Sequence, residues 1–456
     1  MSTEPKNLSC IPAEIRILII SYLGPSDLFS LLRTNKSLSS IAYEQLYSRL
    51  HFGANTYLKM GAKLEPPQIC GRPLNLHIRI LPENGWCLLD RIIHRGKVED
   101  EVYTPSSSFP GSELTRTLFI DSFSNSINAV GYEGSMLLRL CSTLAQVIDD
   151  GGMPRFADAF FVCPDGGVLG EVVAQNLKPL IDALKRRSKS PNTQVSVGLK
   201  LITSSSYRVL QPSHTLVSHI NPEVLTHLDL QLSLRNVRKG THIKEPVNHT
   251  GNAIFEARYL LNTLSKTLQL KFLRLGSVLN NRGFNPQYNY VEIEEFGKVL
   301  MRLQGAILGL EKLETLVLYG VIFHNSWFVI PPKNVKKLVY IGPFTDVWYR
   351  RFAEQPLVGV EDLTIRYFDK DYGCWGNSDG WKLDLRDVRV SGLKRFRFNG
   401  YCGHEEWVYR LIQRNEGLEV VRGNVDVEMM EAMGWSIYIK EGDVYWLKRQ
   451  VDDIDS

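Results

Sequence analysis

The stretch Asp165-Gly166-Gly167-Val168-Leu169-Gly170-Glu171 lies between a strand-like and a helix-like segment. Glycines at such a junction let backbone N–H groups at a helix start approach a phosphate. The full Gly-x-Gly-x-x-Gly order is missing, however, and Arg186, Arg187 and Lys189 stand where a ribose-binding acid is expected. A tight turn explains these glycines more simply. Asp369-Lys370-Asp371-Tyr372-Gly373 hints at a calcium loop, but the fifth position is Gly373 and the twelfth is Gly380, neither of which carries an oxygen side chain. His214, His219 and His227 cluster in sequence without a helix-spaced pair or a nearby cysteine to complete a metal set. Cysteines at 10, 70, 87, 141, 163, 374 and 402 form no Cys-x-x-Cys pair and fit reduced thiols in a cytosolic or nuclear protein. Nucleophile elbows, Walker loops and His-Glu-x-x-His are absent from the sequence. The expectation is a protein without a catalytic site, a metal or a cofactor. A nucleotide-binding α/β enzyme built on Gly166 and Gly170 is the rival.

Composition points to an ordinary folded chain: 44% hydrophobic and 22% charged residues over 456 positions, with a net charge of +4. That charge is too mild to argue for nucleic acid. The densest basic run, Lys185-Arg186-Arg187-Ser188-Lys189, reads as a helix end. Neither nucleic acid nor a membrane is expected as a partner. The apolar run near the start is far short of the ~20 residues of a membrane span, and Arg16, Glu4 and Glu14 break the pattern of a signal peptide.

The elements available to position any site alternate. Strand-like segments at 118–121, 157–163, 195–202, 228–232, 272–275 and 316–319 are interleaved with helix-like ones, including 135–148, 169–187, 253–268 and 291–308. This order predicts parallel strands with crossover helices. A frame of apolar-x-x-apolar-x-apolar recurs at Leu225/Leu228/Leu230, Leu270/Leu273/Leu275, Leu313/Leu316/Leu318, Val335/Leu338/Tyr340, Val360/Leu363/Ile365 and Leu393/Phe396/Phe398. It resembles a degenerate leucine-rich repeat, although steps of 45, 43, 22, 25 and 33 residues require insertions and the repeat's asparagine is missing. A curved α/β solenoid is expected, with an ordinary open α/β domain as the alternative. Alternation along each strand would then put Asp229, Gln231, Arg274, Tyr319, Thr364, Arg366, Arg397 and Asn399 on one face. Asp229, Gln231, Arg274, Tyr319, Arg366 and Arg397 are the candidates for contacting a protein substrate, set against their being merely solvated strand residues. Two apolar runs around Gly442-Asp443 suggest a hairpin that closes this domain.

The first fifty residues carry more apolar surface than so small a unit can bury in itself. In the helix that follows Pro12, residues Ile11, Ile15, Leu18, Ile19, Tyr22 and Leu23 form one stripe, with Ile17 and Ile20 on the far side. A second helix is expected from Ser26, carrying Leu28, Phe29, Leu31 and Leu32, and a third from about Thr34, carrying Leu38, Ile41, Ala42, Leu46 and Leu50.

The order Leu8-x-x-Ile11-Pro12-x-Glu14-Ile15, Ile19-x-x-Tyr22-Leu23, Pro25-x-Asp27-Leu28, Leu31, Asn35-Lys36-x-Leu38, Ile41-Ala42 and Leu46-Tyr47 resembles an F-box of the fungal type, in which Asn-Lys-x-Leu replaces a cysteine, a basic residue and a tryptophan. The resemblance implies docking on a Skp-family adaptor and, through it, on a cullin-RING ubiquitin ligase. It assigns Ile11, Pro12, Ile15, Ile19, Leu28 and Leu31 to the adaptor contact. Six such side chains contribute on the order of 10 kcal/mol gross, opposed by an association cost of ~4–15 kcal/mol. The expected organisation is an F-box over 1–52, a connector over 53–112 and a leucine-rich-repeat-like α/β domain with a cap over 113–450. The expected function is that of a substrate receptor of an SCF-type ligase in the cytoplasm or nucleus. The alternative is an F-box scaffold without a ubiquitination role.

Overall fold

In a computed structural model, the described residues are 11–23, 25–34, 36–53, 97–99, 102–104, 107–109, 111–121, 132–165, 167–190, 195–203, 219–232, 249–277, 294–319, 329–341, 357–366, 390–399, 405–423, 425–441 and 444–449. The connector expected over 53–112 and the candidate calcium loop fall mostly or wholly outside them, as do Gly166 and His214. The chain divides into two compact units, Met1–His227 and Leu228–Ser456.

The first unit opens with three helices, α1 (Ala13–Ser21), α2 (Pro25–Thr34) and α3 (Lys36–Ser48). Their shared core is Ile20, Leu28, Leu38, Ala42 and Leu46, with Leu23, Phe29, Leu31, Leu32, Ile41 and Tyr47 packed around it. Pro12 sits at the N-cap of α1, one step ahead of the first helical residue, and its carbonyl accepts the N–H of Arg16 at 3.0 Å. The helix α3 runs straight into β1 (Arg49–Gly53), which pairs in parallel with β4 (Thr117–Asp121). A short antiparallel pair, β2 (Lys97–Glu99) and β3 (Val102–Thr104), lies between them in sequence.

From β4 the chain passes through α4 (Tyr132–Asp149), β5 (Asp158–Asp165), α5 (Gly167–Ser188), β6 (Ser196–Thr203) and β7 (Leu225–Leu232). The strands β4, β5 and β6 pair in parallel, and α4 packs on α5. Leu118, Ile120, Ala159, Phe161, Val197 and Leu199 line up in register as a buried face. On the reverse face the ring of Phe160 lies over Gly198, where a Cβ would stand 2.1 Å from Phe160 Cδ1. Glycine is required by that approach. The basic run does end α5: Arg186 pairs with Asp149, and Arg187 lies over Phe156 and donates to the carbonyls of Pro154 and Phe156.

The second unit adds α6 (His249–Leu264), β8 (Phe272–Ser277), α7 (Glu294–Leu308), β9 (Thr315–Tyr319), β10 (Lys337–Ile341), β11 (Leu357–Val358), β12 (Asp362–Arg366), β13 (Val390–Ser391), β14 (Arg395–Asn399), α8 (Glu405–Arg414), β15 (Val420–Gly423), α9 (Val427–Ala432), β16 (Trp435–Glu441) and β17 (Val444–Arg449). The strands β8, β9, β10, β12, β14 and β15 pair in parallel in that order. The antiparallel hairpin β16–β17 then joins β15 through β17, as the terminal apolar runs suggested.

The recurring apolar frame is a register ladder. Leu273, Leu316, Leu338, Leu363, Phe396 and Val421 are successive partners across the strands, and each is at most 1% exposed. The last rung belongs to a frame at Leu418/Val421/Gly423 that the sequence expectation missed, because its third position is glycine. Ahead of the strands one backbone device recurs. The carbonyls of Lys271, Glu314, Lys336, Glu361 and Lys394 each accept the two N–H groups that lead into the next strand.

Candidate functional site

The helix α1 has the shortest path from sequence to surface. Among its side chains only Ile20 is buried, at 2% exposure. The expectation had put Ile20 on the far side, together with Ile17. A helix that is apolar nearly all round has no single inward side by periodicity, so the positions of α2 and α3 decide which way it faces. Ile20 and Leu23 turn inward, and the stripe predicted from Ile15, Leu18, Ile19 and Tyr22 turns outward.

The outcome is an exposed apolar face on one short helix. Ile15 is 45% exposed, Ile17 51%, Leu18 53%, Ile19 37% and Tyr22 80%. Single exposed apolar residues are common, whereas five within eight positions form a patch of the kind that marks an interaction surface. The helix is held at its end, where the N–H of Tyr22 donates to the carbonyls of Ile19 and Ile20 and the Ser21 hydroxyl donates to Leu18 at 2.6 Å.

Of the six residues assigned to the adaptor, Ile15 and Ile19 lie on this face, Pro12 is exposed and Ile11 is half-buried. Leu28 is placed otherwise: it is 0% exposed at the centre of the helical core. Leu31 is half-buried and packed on that core. Both belong to the helical core, where α2 packs against α3. Leu18 and Tyr22, absent from the assigned set, belong to the face, and the same sequence stripe had marked them.

The helical core is braced from the following segment. Glu44 of α3 meets Arg155 at 2.7 Å and Arg116 at 3.6 Å. The Arg116 N–H donates to the Ser48 carbonyl at 2.8 Å, and the Thr115 hydroxyl donates to the Tyr47 carbonyl at 3.2 Å. The Tyr43 and Tyr47 rings stand 4.6 Å apart, and burial raises the Tyr43 hydroxyl above its ordinary pKa.

The substrate candidates of the second unit divide. Asp229, 8% exposed, faces Arg274 at 3.6 Å, so these two groups compensate one another. Arg397 reaches Asp362 at 3.5 Å. The side chains of Gln231, Tyr319, Arg366 and Asn399 are outside the described set, although register places Tyr319, Arg366 and Asn399 in one row across β9, β12 and β14. Thr364 is buried at 4%.

In the first unit, His227 is buried and bonds through Nδ1 to the Thr226 hydroxyl at 2.7 Å, which in turn meets the Ser196 hydroxyl at 2.6 Å. His219 is exposed. Cys141 and Cys163 are buried thiols, and burial drives the Cys141 pKa far upward. Among the described residues no group of three His, Cys, Asp or Glu side chains is arranged to hold a metal. None of the described helices is long and apolar enough to cross a membrane.

Residues 8–53 match the family model described as F-box-like, a window that contains α1, α2, α3 and β1. No curated protein matches the chain.

Proposed function

We propose that this chain is the substrate-receptor subunit of an SCF-type cullin-RING ubiquitin ligase. F-box domains generally bind Skp-type adaptors, and here the exposed apolar face of α1 supplies the surface. The observation that carries the reading is the coincidence of that face, from Ile15 to Tyr22, with the F-box-like window. The strand-rich second unit presents the protein substrate, and its repeated frame supports a leucine-rich-repeat-like architecture. The chain performs no covalent chemistry. It holds a substrate lysine near a thioester carried elsewhere in the assembly, so that catalysis is proximity. Such a subunit works in the cytoplasm or nucleus.

Co-expression of the full chain with a Skp-family adaptor tests this. A stable complex is expected for the wild type, and its loss is expected in the double variant Ile15→Asp, Leu18→Asp, which alters two residues already in solvent. Absence of a complex with the wild type, or an undiminished one with the variant, overturns the assignment. Turnover of a bound partner that depends on the ligase would separate a receptor from a scaffold.

A further inference from the structure

The side of the second unit's strands opposite the leucine ladder is organised in charged rows. One row runs Lys337, Asp362, Arg395 across β10, β12 and β14. The next runs Val339, Thr364, Arg397, Arg422, Trp446 across β10, β12, β14, β15 and β17. At their centre Asp362 is buried at 3%, and its Oδ2 takes Arg395 Nε and Arg397 Nη2, each at 3.5 Å. One carboxylate thus serves two guanidinium groups. Arg395 keeps 53% of its side-chain surface and Arg397 keeps 30%, leaving donors of both forks turned to solvent.

The neighbouring groups are also cationic. Arg422 lies over the Trp446 ring at 4.6 Å and Arg397 lies at 5.9 Å from the same ring, so the indole fixes two guanidinium planes. Lys337 is held below its ordinary pKa by burial, with Arg397 and Arg395 adding to the shift and Asp362 opposing it. Positive charge is therefore crowded on preorganised groups, and an incoming carboxylate can accept from a planar fork in two parallel bonds.

We propose that this face of β10, β12, β14 and β15 docks an extended Asp- and Glu-rich segment of a protein. The inference rests on the receptor reading and names the chemistry of its substrate. Charge complementarity selects the occupant. Nucleic acid fits less well, because single-strand binding needs open aromatic faces for bases and Arg422 already lies over the Trp446 ring.

The test uses the full chain with its adaptor, a labelled Glu- and Asp-rich peptide, and the same peptide with Gln and Asn in place of the acids. Binding of the acidic peptide alone is expected, weakening steadily with salt. The variant Arg395→Gln, Arg397→Gln should raise its Kd by about tenfold or more, since a charged hydrogen bond is worth ~1.5–3 kcal/mol. Arg397→Lys, which keeps charge and loses the fork, should give a smaller increase. Equal binding of the amide peptide, an unchanged Kd in the double variant, or preference for a phosphopeptide or a single-stranded oligonucleotide overturns the proposal. Adaptor capture is scored in the same samples. Failure of capture throughout, with peptide binding intact, removes the receptor reading and leaves the anion-binding face standing.

Discussion

Two surfaces of this protein offer opposite chemistries to a partner. The face of α1 offers Ile15, Ile17, Leu18, Ile19 and Tyr22, with exposed Glu14 one turn away as its charged neighbour. The face around Asp362 offers guanidinium forks, beside an indole that Arg422 already covers. Apolar burial is non-directional and scales with area, which suits a constant partner held whenever both are present. Fixed cations screened by salt suit exchangeable partners chosen by charge. In the proposed receptor role, keeping one neighbour and releasing another would benefit from separating the two chemistries.

That separation can be tested from the largest expected effect downward. Leu28→Ala removes a side chain with no exposure from the helical core, and a loss of about 2–5 kcal/mol is expected in denaturant unfolding of the first unit. A loss as small as that of an exposed substitution would put Leu28 at the interface after all. Gly111→Ala comes next. Gly111 has φ of +78°, and its added Cβ would stand 2.3 Å from ring carbons of Tyr47. A cost of about 1–3 kcal/mol is expected from thermal melts, arising where the helices are braced. Ile15→Ala should leave stability within ~0.5 kcal/mol while weakening adaptor affinity about tenfold, or about 1.4 kcal/mol. That complex should barely respond to salt. A strong salt dependence of adaptor capture would erase the contrast between the two surfaces.

The smallest effect concerns the exposed pair Lys394–Glu361, 3.1 Å apart. The hydrogen bond from Lys394 and its charge hold the Glu361 carboxyl below its ordinary range. A depressed carboxyl pKa stabilises the fold above the unfolded-state value and loses that contribution as pH falls through the folded-state value. Lys394→Gln should therefore be slightly less stable than the wild type at neutral pH and equal to it in acid. Melting curves across that range read the difference.

Much of this architecture was legible in the sequence. The alternation of strand-like and helix-like segments located β4, β5, β6, β8 and β9, and α4, α5, α6 and α7, to within a few residues, because period-two and period-3.6 patterns are clean where one face is buried. The recurring frame gave the register ladder from Leu273 to Phe396. The same frame also carries a charge pattern. From the frame at Leu270 onward, the residue after the first apolar position is Lys271, Glu314, Lys336, Glu361, Lys394 and Glu419, alternating in sign from one strand to the next. Alternation of this kind favours opposite charges on neighbouring strands and penalises pairing a strand with its next-but-one neighbour, which would bring like charges together.

The helical unit was legible as to content and not as to facing. The apolar excess of α1 is visible in Ile15 to Leu23, but its near-uniform apolarity hides which side turns in. The roles of Ile20 and Leu28 therefore needed the packing of three helices. The ion pairs around Asp362 were hidden for a different reason. They arise between strands separated by insertions of unequal length, and only the register brings Arg395 and Arg397 to one carboxylate.

The passage from α3 into β1 has a mechanical consequence. Ser48 ends the helix, Arg49 begins the strand, and no residue between them can act as a joint. A grip on α1 is thus passed through α3, which it contacts, to β1 and then β4, and a twist applied at the helices is carried into the strands of the first unit. The same continuity governs how the protein can be cut. Excising residues 1–53 removes a strand along with the helices and bares the edge of β4, a ready template for aggregation. The helical unit is a handle forged in one piece with its blade, and substitutions on its surface can disable it without breaking the tool.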